Sequence, residues 1–441
     1  MSVDFAYIAD DFTGATDVLE ALASAGARAR LYLDCAPSAV EPGLQAIGIA
    51  TTARATAAAE LPHVLAPLFD ALVSLQPAIV QYKVCSTFDS SPEIGNIATV
   101  ISTAWERFPY QSVLPVIVGA PRLGRWVVFG NLFARYGVTA KIYRLDRHPV
   151  MRFHPITPME ESDLGVILHH QGLPHPVDYL TVLDYTLDQS ASFEKFQRTD
   201  RTVLIADTLL EEHLTTLGRL VLAALRTPAL VIGSSGATQA ICNALIERGK
   251  FCGEPLLAAP YPVDPVLVVS GSCSRVSANQ TQRAIQAGFC EIAIVPDKLL
   301  HNDAYIEEVA EKIAQQLCRG KSVIAHTCSG PDDPRLLNRH SPWERPHLGR
   351  ALGRQLGELV ARVAGRVPVR RIIVTGGDTS GHVALAAGLK ALDPIAVIAP
   401  GAPLCRACAP QTCLDGIEFC FKGGQTGPED FYLIARDGVK T

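Results

Sequence analysis

A chain of 441 residues exceeds the usual size of one hydrophobic core and predicts two domains. Hydrophobic residues at 48% and charged residues at 19% exclude a disordered chain and fit a well-packed, enzyme-like protein. A net charge of -5 argues against nucleic acid or an anionic membrane as partner, and no apolar run approaches the ~18 residues of a membrane span.

The start, Met1-Ser2-Val3-Asp4-Phe5, lacks the basic and apolar stretches of a signal peptide, and 12 scattered cysteines form no disulfide framework. Both point to a cytoplasmic protein with reduced thiols. Val3 to Ala9 reads as a first strand, with Asp10-Asp11-Phe12-Thr13-Gly14-Ala15 as the loop at its carboxyl end. A helix over Thr16 to Ala25 follows, with Val18, Leu19 and Leu22 on one face. Strands at Arg30 to Leu33, Ala46 to Ala50 and Ala78 to Val84 come next, with a helix near Thr56 to Leu75. Thr157-Pro158-Met159-Glu160 has the form of a capping box and predicts a helix reaching Gln171. Strands near Leu180 to Leu183, Thr202 to Ala206 and Ala229 to Ile232 complete the first half.

Three prolines between Ala258 and Pro265 mark a boundary. They predict a first domain over 1–258, a linker over 259–265 and a second domain over 266–441. Strands at Val266 to Val269, Glu291 to Val295 and Ser322 to His326 then alternate with helices at Ser277 to Ala287 and Tyr305 to Leu317. A long polar loop, Ser329 to Pro346, precedes a helix at Leu348 to Val363. The apolar run Ile372 to Thr375 ends at Gly376-Gly377-Asp378, and Ala384 to Leu389 reads as the helix beyond. This alternation predicts an α/β fold of two domains, each a mostly parallel sheet flanked by helices.

Such sheets carry their sites at the carboxyl ends of the strands, which puts Asp10, Asp11, Arg54, Lys83 and Ser86 on one edge. Carboxylates suit hydroxyls, and fixed cations suit an anionic substrate. Taken singly, each is equally a solvated charge, and Thr13-Gly14 gives the aspartates a capping reading. In the second half, Ser270-Gly271-Ser272-Cys273-Ser274 and Gly376-Gly377-Asp378 both follow apolar strands and have the small residues that phosphate binding requires. A carboxylate at Asp378 suits a metal ion or a proton acceptor. Gly233-Ser234-Ser235-Gly236 has no charged neighbour and reads as structural. Gly320-Lys321-Ser322 lacks the first glycine of a Walker loop, because Gln315 stands there. Cys405, Cys408, Cys413 and Cys420 read as buried thiols, since their spacing gives no paired CxxC pattern, and no metal centre is expected. His169 and His170 read as one buried and one exposed helix position. No G-x-G-x-x-G opens either half, which counts against a dehydrogenase.

Ile8-Ala9-Asp10-Asp11-Phe12-Thr13-Gly14-Ala15 resembles the opening of the four-carbon acid sugar kinases. The resemblance continues in Tyr82 to Glu93, His154 to Met159, Ser270 to Ser274, Gly376 to Thr379, Pro400 to Pro403 and Phe421 to Gly427. It implies a kinase that uses ATP, with Mg2+ carried on the nucleotide, to phosphorylate a small sugar acid. The first domain would bind the acid and the second ATP, with the active site in the cleft between them. Carried over by position, Asp10, Asp11, Arg54, Lys83, Val84, Cys85 and Ser86 would contact the acid. Ser270, Ser272, Ser274, Gly376, Gly377, Pro400, Gly401, Ala402 and Pro403 would contact the nucleotide, and Asp378 or Asp11 would be the catalytic carboxylate. Cys85 to Ser90 is similar to the 3-oxo-tetronate kinase branch. Ile94, Ala98 and the stretch Gly119 to Arg147 depart from it, which leaves open a threonate or erythronate kinase, or a kinase of a branched 3-oxo acid. A sugar-acid sensor without transfer is the non-kinase alternative, and a homo-oligomer is compatible with either.

Overall fold

The computed structural model describes residues 3–33, 40–137, 141–154, 157–187, 189–335 and 346–439, without the side chains of 186–191, 346–348 and 378. The chain divides into two compact units: Met1–Ala29 with Cys35–Glu254, and Arg30–Asp34 with Pro255–Thr441. The second unit thus takes in a segment from near the start of the chain, which a single cut in the sequence does not express. The strands in chain order are β1 (Phe5–Ala9), β2 (Ala29–Leu33), β3 (Ala46–Ala50), β4 (Ile79–Lys83), β5 (Val113–Ile117), β6 (Arg125–Val128), β7 (Asn131–Arg135), β8 (Ile142–Arg144) and β9 (Val177–Leu180). They continue with β10 (Thr202–Ala206), β11 (Ala229–Gly233), β12 (Leu267–Ser270), β13 (Cys290–Ala293), β14 (Val323–His326), β15 (Arg371–Thr375), β16 (Ala391–Ala399), β17 (Ala402–Cys408) and β18 (Glu418–Lys422).

In the first unit the order is β3-β1-β4-β11-β5-β10-β9, with every neighbouring pair parallel. β1, β3, β4, β5, β10 and β11 are buried along their whole length. A sheet covered on both faces requires such uninterrupted apolar strands. Helix starts are set by side chains: Asp11, Asn96, Asp163 and Ser234 each accept N–H groups from the first turn that follows. A separate antiparallel sheet, β6-β7-β8, also belongs to this unit. Its β6–β7 turn puts Phe129 at φ 50 and Gly130 at φ 74, the left-handed pair that a tight hairpin favours. Asp207, just past β10, accepts from Phe129 N at 2.7 Å and Gly130 N at 2.9 Å, which fixes that turn.

The second unit has the order β13-β14-β12-β15-β18-β17-β16-β2. β13 to β18 in that order are parallel, and β17, β16 and β2 each run antiparallel to the strand before. Val268, Ile324, Ile373, Cys420 and Phe431 share its apolar core. Arg30 of β2 pairs with Asp393 of β16 through Nε at 2.6 Å and Nη2 at 2.8 Å. At the amino ends of β15 and β18, fully buried Arg371 donates to Glu418 at 2.8 Å and to the Tyr261 and Ala435 carbonyls. A buried guanidinium is tolerable only beside such a carboxylate, and the Arg371 Nη2 lies 2.7 Å from Glu418 although it forms no hydrogen bond.

The α/β architecture with mostly parallel sheets agrees with the sequence reading, and several local expectations do not. The helix expected from Thr157 is confined to Leu164–His170, because Asp163 supplies the cap by accepting from Gly165 N and Val166 N. Thr157 N donates instead to His154 Nδ1 at 3.1 Å. His169 and His170 are both exposed. The strand placed at Leu180 to Leu183 is β9, after which Val182–Leu187 is helical. The helix after Gly376 starts at once, as Gly377–Ala386, rather than at Ala384. Residues 336–345 of the expected long loop lie outside the described residues.

Candidate functional site

The first unit gathers four charged side chains at the carboxyl ends of β1, β3 and β4. Asp10 and Asp11 follow β1, Arg54 sits in the short 3-10 turn Ala53–Ala55 after β3, and Lys83 ends β4. Arg54 donates from Nε and Nη2 to the two Asp10 oxygens at 3.0 and 2.7 Å, and from Nη1 and Nη2 to the two Asp11 oxygens at 3.0 Å each. Four of its five N–H groups are thereby taken by two carboxylates. Asp11 also accepts from Gly14 N at 2.8 Å as the helix cap. A Cβ on Gly14 would stand 2.4 Å from Asp11 Oδ1 and 3.0 Å from Lys83 Nζ, so the ammonium lies beside the acidic pair. Lys83 is buried and makes no side-chain hydrogen bond among the described residues.

Burial raises the Asp10 carboxyl above the usual carboxylate range against the pull of Arg54, and the like charge of Asp11 adds to the rise. Burial opposes the Arg54 charge too, yet Asp10 and Asp11 together hold its pKa well above the ordinary value. The side chains differ in access: Asp10 is 6% exposed and Asp11 24%. Asp11 is therefore the carboxylate a ligand can reach. Val84 is buried, with its N–H bonded to Gly233 O at 2.9 Å, and it serves the loop through its backbone. The Cys85 thiol lies 3.0 Å from Thr87 Oγ1, which donates to Asp89 at 2.6 Å. Burial, followed by the Asp89 charge, pushes that thiol up to about 11, so it stays neutral. Ser86 is half-buried on the same loop.

One cation of this region was not singled out from the sequence. Arg125 opens β6, donates from Nη1 to the Leu123 and Gly124 carbonyls at 3.2 and 2.9 Å, and has a buried Nε without a partner. In Gly233-Ser234-Ser235-Gly236, Ser234 caps a helix and a Cβ on Gly236 would meet Gly119 O at 1.8 Å. The expected lack of a charged neighbour does not hold, since Ser235 Oγ donates to Asp17 and Gly233 pairs in register with Lys83.

In the second unit the predicted glycine and serine residues converge. Gly376, at φ 125, donates its N–H to Lys422 O at 3.0 Å, and Gly271 N donates to Thr375 O at 3.0 Å. A Cβ would stand 2.4 Å from Thr379 Oγ1 at Gly271, 2.9 Å from it at Gly376, and 2.5 Å from Ser272 Oγ at Gly424. Three chain segments thus approach more closely than any side chain allows. Ser272 N donates to Ser270 Oγ at 3.4 Å. Ser274 caps the helix Arg275–Gln286, and its hydroxyl also donates to Gly424 O. Helix Gly377–Ala386 begins with no capping side chain, so its first-turn N–H groups have no acceptor within the described protein. Such an uncapped start between close-packed glycines suits a phosphate chain. The Asp378 side chain lies outside the described part, and the residue is placed only as the second of that helix.

Pro400 and Gly401 form the turn between β16 and β17, where Ala399 pairs with Ala402 and Gly401 has φ 75. Because β17 runs antiparallel to β18, Ala402 and Pro403 lie toward the Lys422 end of that strand, on the same edge as Gly376. Thr379, Lys422 and Gly424 lie within the segments that resemble the family, and the sequence alone gives them no role. Lys422 is fully buried, donates to Gly423 O at 3.0 Å, and lies 5.4 and 6.0 Å from the Phe431 and Tyr432 ring centroids. Burial brings its ammonium down to about 8. Of the four cysteines expected to be buried, Cys405 and Cys420 are, whereas Cys408 is half-buried and Cys413 is exposed; among the described residues they join no metal-ligating cluster.

Residues 5–241 match the family described as a sugar-binding N-terminal domain, and residues 267–432 match the nucleotide-binding C-terminal domain. The chain is 39% identical to a 3-oxo-isoapionate kinase of Paraburkholderia graminis, over 98% of this chain and 94% of that one. It is 30% identical to a 3-oxo-tetronate kinase of Methylobacterium radiotolerans over 99% of both chains. A crystal structure from Salmonella typhimurium LT2 superposes with a TM-score of 0.80 at 25% identity, covering 98% of each chain. The sugar-binding and nucleotide-binding halves define a carbohydrate acid phosphotransferase. The chain belongs to the four-carbon acid sugar kinase family. No helix among the described residues is long and apolar enough to cross a membrane.

Proposed function

We propose that the protein transfers the γ-phosphoryl group of ATP to the terminal hydroxyl of a small 3-oxo sugar acid, of the kind named for its 3-oxo-isoapionate and 3-oxo-tetronate kinase relatives. The reading rests on the pairing of two chemistries in one chain. One unit holds a buried acid–cation group for a polyhydroxy anion, and the other an uncapped helix start among glycines for phosphates. The relative at 39% identity favours the isoapionate type over the tetronate type, whose named relatives stand at 27–30%.

Arg54 fixes the two carboxylates rather than meeting the acid directly, and Asp11 accepts a hydrogen bond from the acceptor hydroxyl and then its proton. Lys83 donates to a substrate oxygen beside them. The Ser270 to Ser274 loop, the Gly376-Gly377 helix start and the Pro400 to Pro403 turn hold the nucleotide. A carboxylate beside phosphates is favourable only with a cation between them, which assigns Asp378 to the Mg2+ that travels with ATP. That ion supplies charge neutralisation at the phosphates. Phosphoryl transfer then depends mainly on alignment of the acceptor hydroxyl with the γ-phosphate.

The test is ADP release from ATP and Mg2+ with a panel of acids that includes 3-oxo-isoapionate, 3-oxo-tetronate, threonate and erythronate. The 3-oxo acids should be turned over with kcat/KM above the plain aldonates by about 100-fold or more. Turnover of none of them would remove the reading, and preference for an aldonate would move it to the threonate or erythronate branch.

A further inference from the structure

We infer that Arg125 binds the carboxylate of the sugar acid, and so selects acids over neutral sugars. The inference deepens the proposed function and rests on it. It starts from the charges at the carboxyl edge of the first unit. Asp10, Asp11, Arg54 and Lys83 form a group with two negative and two positive charges, already joined by hydrogen bonds or close approach. That group has no net charge with which to attract an anion. Arg125 stands apart from it. Its electrostatic neighbours are Cys85, Asp89 and Arg135, and it also acts on His148. Burial keeps the Cys85 thiol and the His148 imidazole neutral. Asp89 acts on Arg125 without an ion pair to it, and Arg135 is exposed, so the open position is the buried, unpartnered Nε of Arg125 rather than a count of charges.

The hydrogen bonding points the same way. Arg125 spends Nη1 on the Leu123 and Gly124 carbonyls, while Nε is buried without a partner and no side-chain carboxylate pairs with it among the described residues. A half-buried guanidinium with a buried Nε left unpartnered is unfavourable, and burial already weakens its hold on its proton. Nε with Nη2 is the edge of the guanidinium that takes a carboxylate in two parallel hydrogen bonds. The position is also controlled. Arg125 follows Gly124 at φ 70, its N–H bonds Ala120 O at 3.2 Å, and its carbonyl accepts from Ala120 N at 2.9 Å. Cys85 links the two groups, since it lies in the fields of both Arg54 and Arg125. The acid then lies with its hydroxyl end at Asp11 and Lys83 and its carboxylate at Arg125, the neutral thiol between them.

The experiment compares the best-used acid of the panel with its primary amide, in wild type, Arg125→Gln and Arg125→Lys. Arg125→Gln should raise KM for the acid by about 100-fold, leave KM for ATP unchanged, and leave KM for the amide unchanged. Arg125→Lys should fall between, because it keeps charge without the paired donors. Millimolar guanidinium ion should restore part of the acid activity of Arg125→Ala. A loss shared equally by acid and amide, with no rescue, would reduce Arg125 to a hairpin support and overturn the inference. So would unchanged KM for the acid in Arg125→Gln. If wild type turns over no acid of the panel, the proposed function itself falls; if it does and the variants behave as wild type, only the carboxylate assignment falls.

Discussion

Gly271 lies against Thr379: a Cβ at position 271 would stand 2.4 Å from the Thr379 hydroxyl oxygen. Thr379 is in the first turn of the uncapped helix Gly377–Ala386, so the glycine sets how closely that helix start approaches the serine loop. Gly271→Ala has to displace one of the two. The expected result is a rise of about 10-fold or more in KM for ATP, with KM for the acid unchanged. Steady-state kinetics with each substrate varied in turn checks it, and an effect on the acid alone would misplace the nucleotide edge.

Arg54 is the shared partner of two carboxylates, and one of them, Asp10, is nearly inaccessible. Arg54→Met should therefore destabilise the first unit by about 3 kcal/mol, because it leaves a buried carboxylate without its cation. Adding Asp10→Asn should recover part of that loss, giving a coupling of about 1–3 kcal/mol in a double-mutant cycle. Urea denaturation of the four proteins measures it. Additive effects would mean that the pair is solvated and that the Arg54 contacts carry little weight.

Lys422 gives a pH signature in the second unit. Its ammonium is brought from 10.5 down to about 8 in the folded chain. Below that value both states hold the proton and burial of the charge opposes folding; between about 8 and 10.5 the unfolded state holds more protons. Stability from this group therefore rises with pH across that window. Lys422→Met removes the rise, so its advantage over wild type should shrink by about 3 kcal/mol between pH 7 and pH 10.5. Comparing urea midpoints of the two proteins at each pH cancels their other shared titrations. A constant difference would show that the ammonium stays solvated.

Asp378→Asn keeps the helix start and removes the charge proposed to meet Mg2+. We expect kcat to fall by about 1000-fold with the melting temperature within a few degrees of wild type. The Mg2+ concentration for half-maximal rate should rise in the same variant. Near-normal turnover with an unchanged Mg2+ requirement would take Asp378 out of the mechanism.

The fold was legible wherever a strand is buried along its length, because runs such as Ile372 to Thr375 and Ala46 to Ala50 have no polar interruption. Asp10, Asp11, Arg54 and Lys83 could be placed together for the same reason: each lies within a few residues of such a run's end. The short antiparallel pieces were not legible. β6 to β8 carry three to five residues each, too few for a periodic pattern, and Arg125 owes its place to that hairpin. Thr379 and Lys422 gain meaning only from neighbours distant in sequence, Gly271 for one and the Phe431 and Tyr432 rings for the other. The misplaced helix near Thr157 shows a local rule losing to a better one, since Asp163 caps two N–H groups while Thr157 is drawn to His154.

The Arg30–Asp34 segment, counted with the second unit, has a consequence for biosynthesis. Its strand leaves the ribosome about 360 residues before β16, the strand it pairs with, at Tyr32 and Leu31. The first unit can be completed while that ribbon still lacks its partner, and the second cannot be finished without a piece already made. A polypeptide starting at residue 259 would expose the β16 edge and lose the Arg30–Asp393 pair, an open edge prone to joining other chains. Coexpressed halves should therefore remain soluble only if the cut leaves Arg30 to Leu33 available to the carboxyl-terminal fragment.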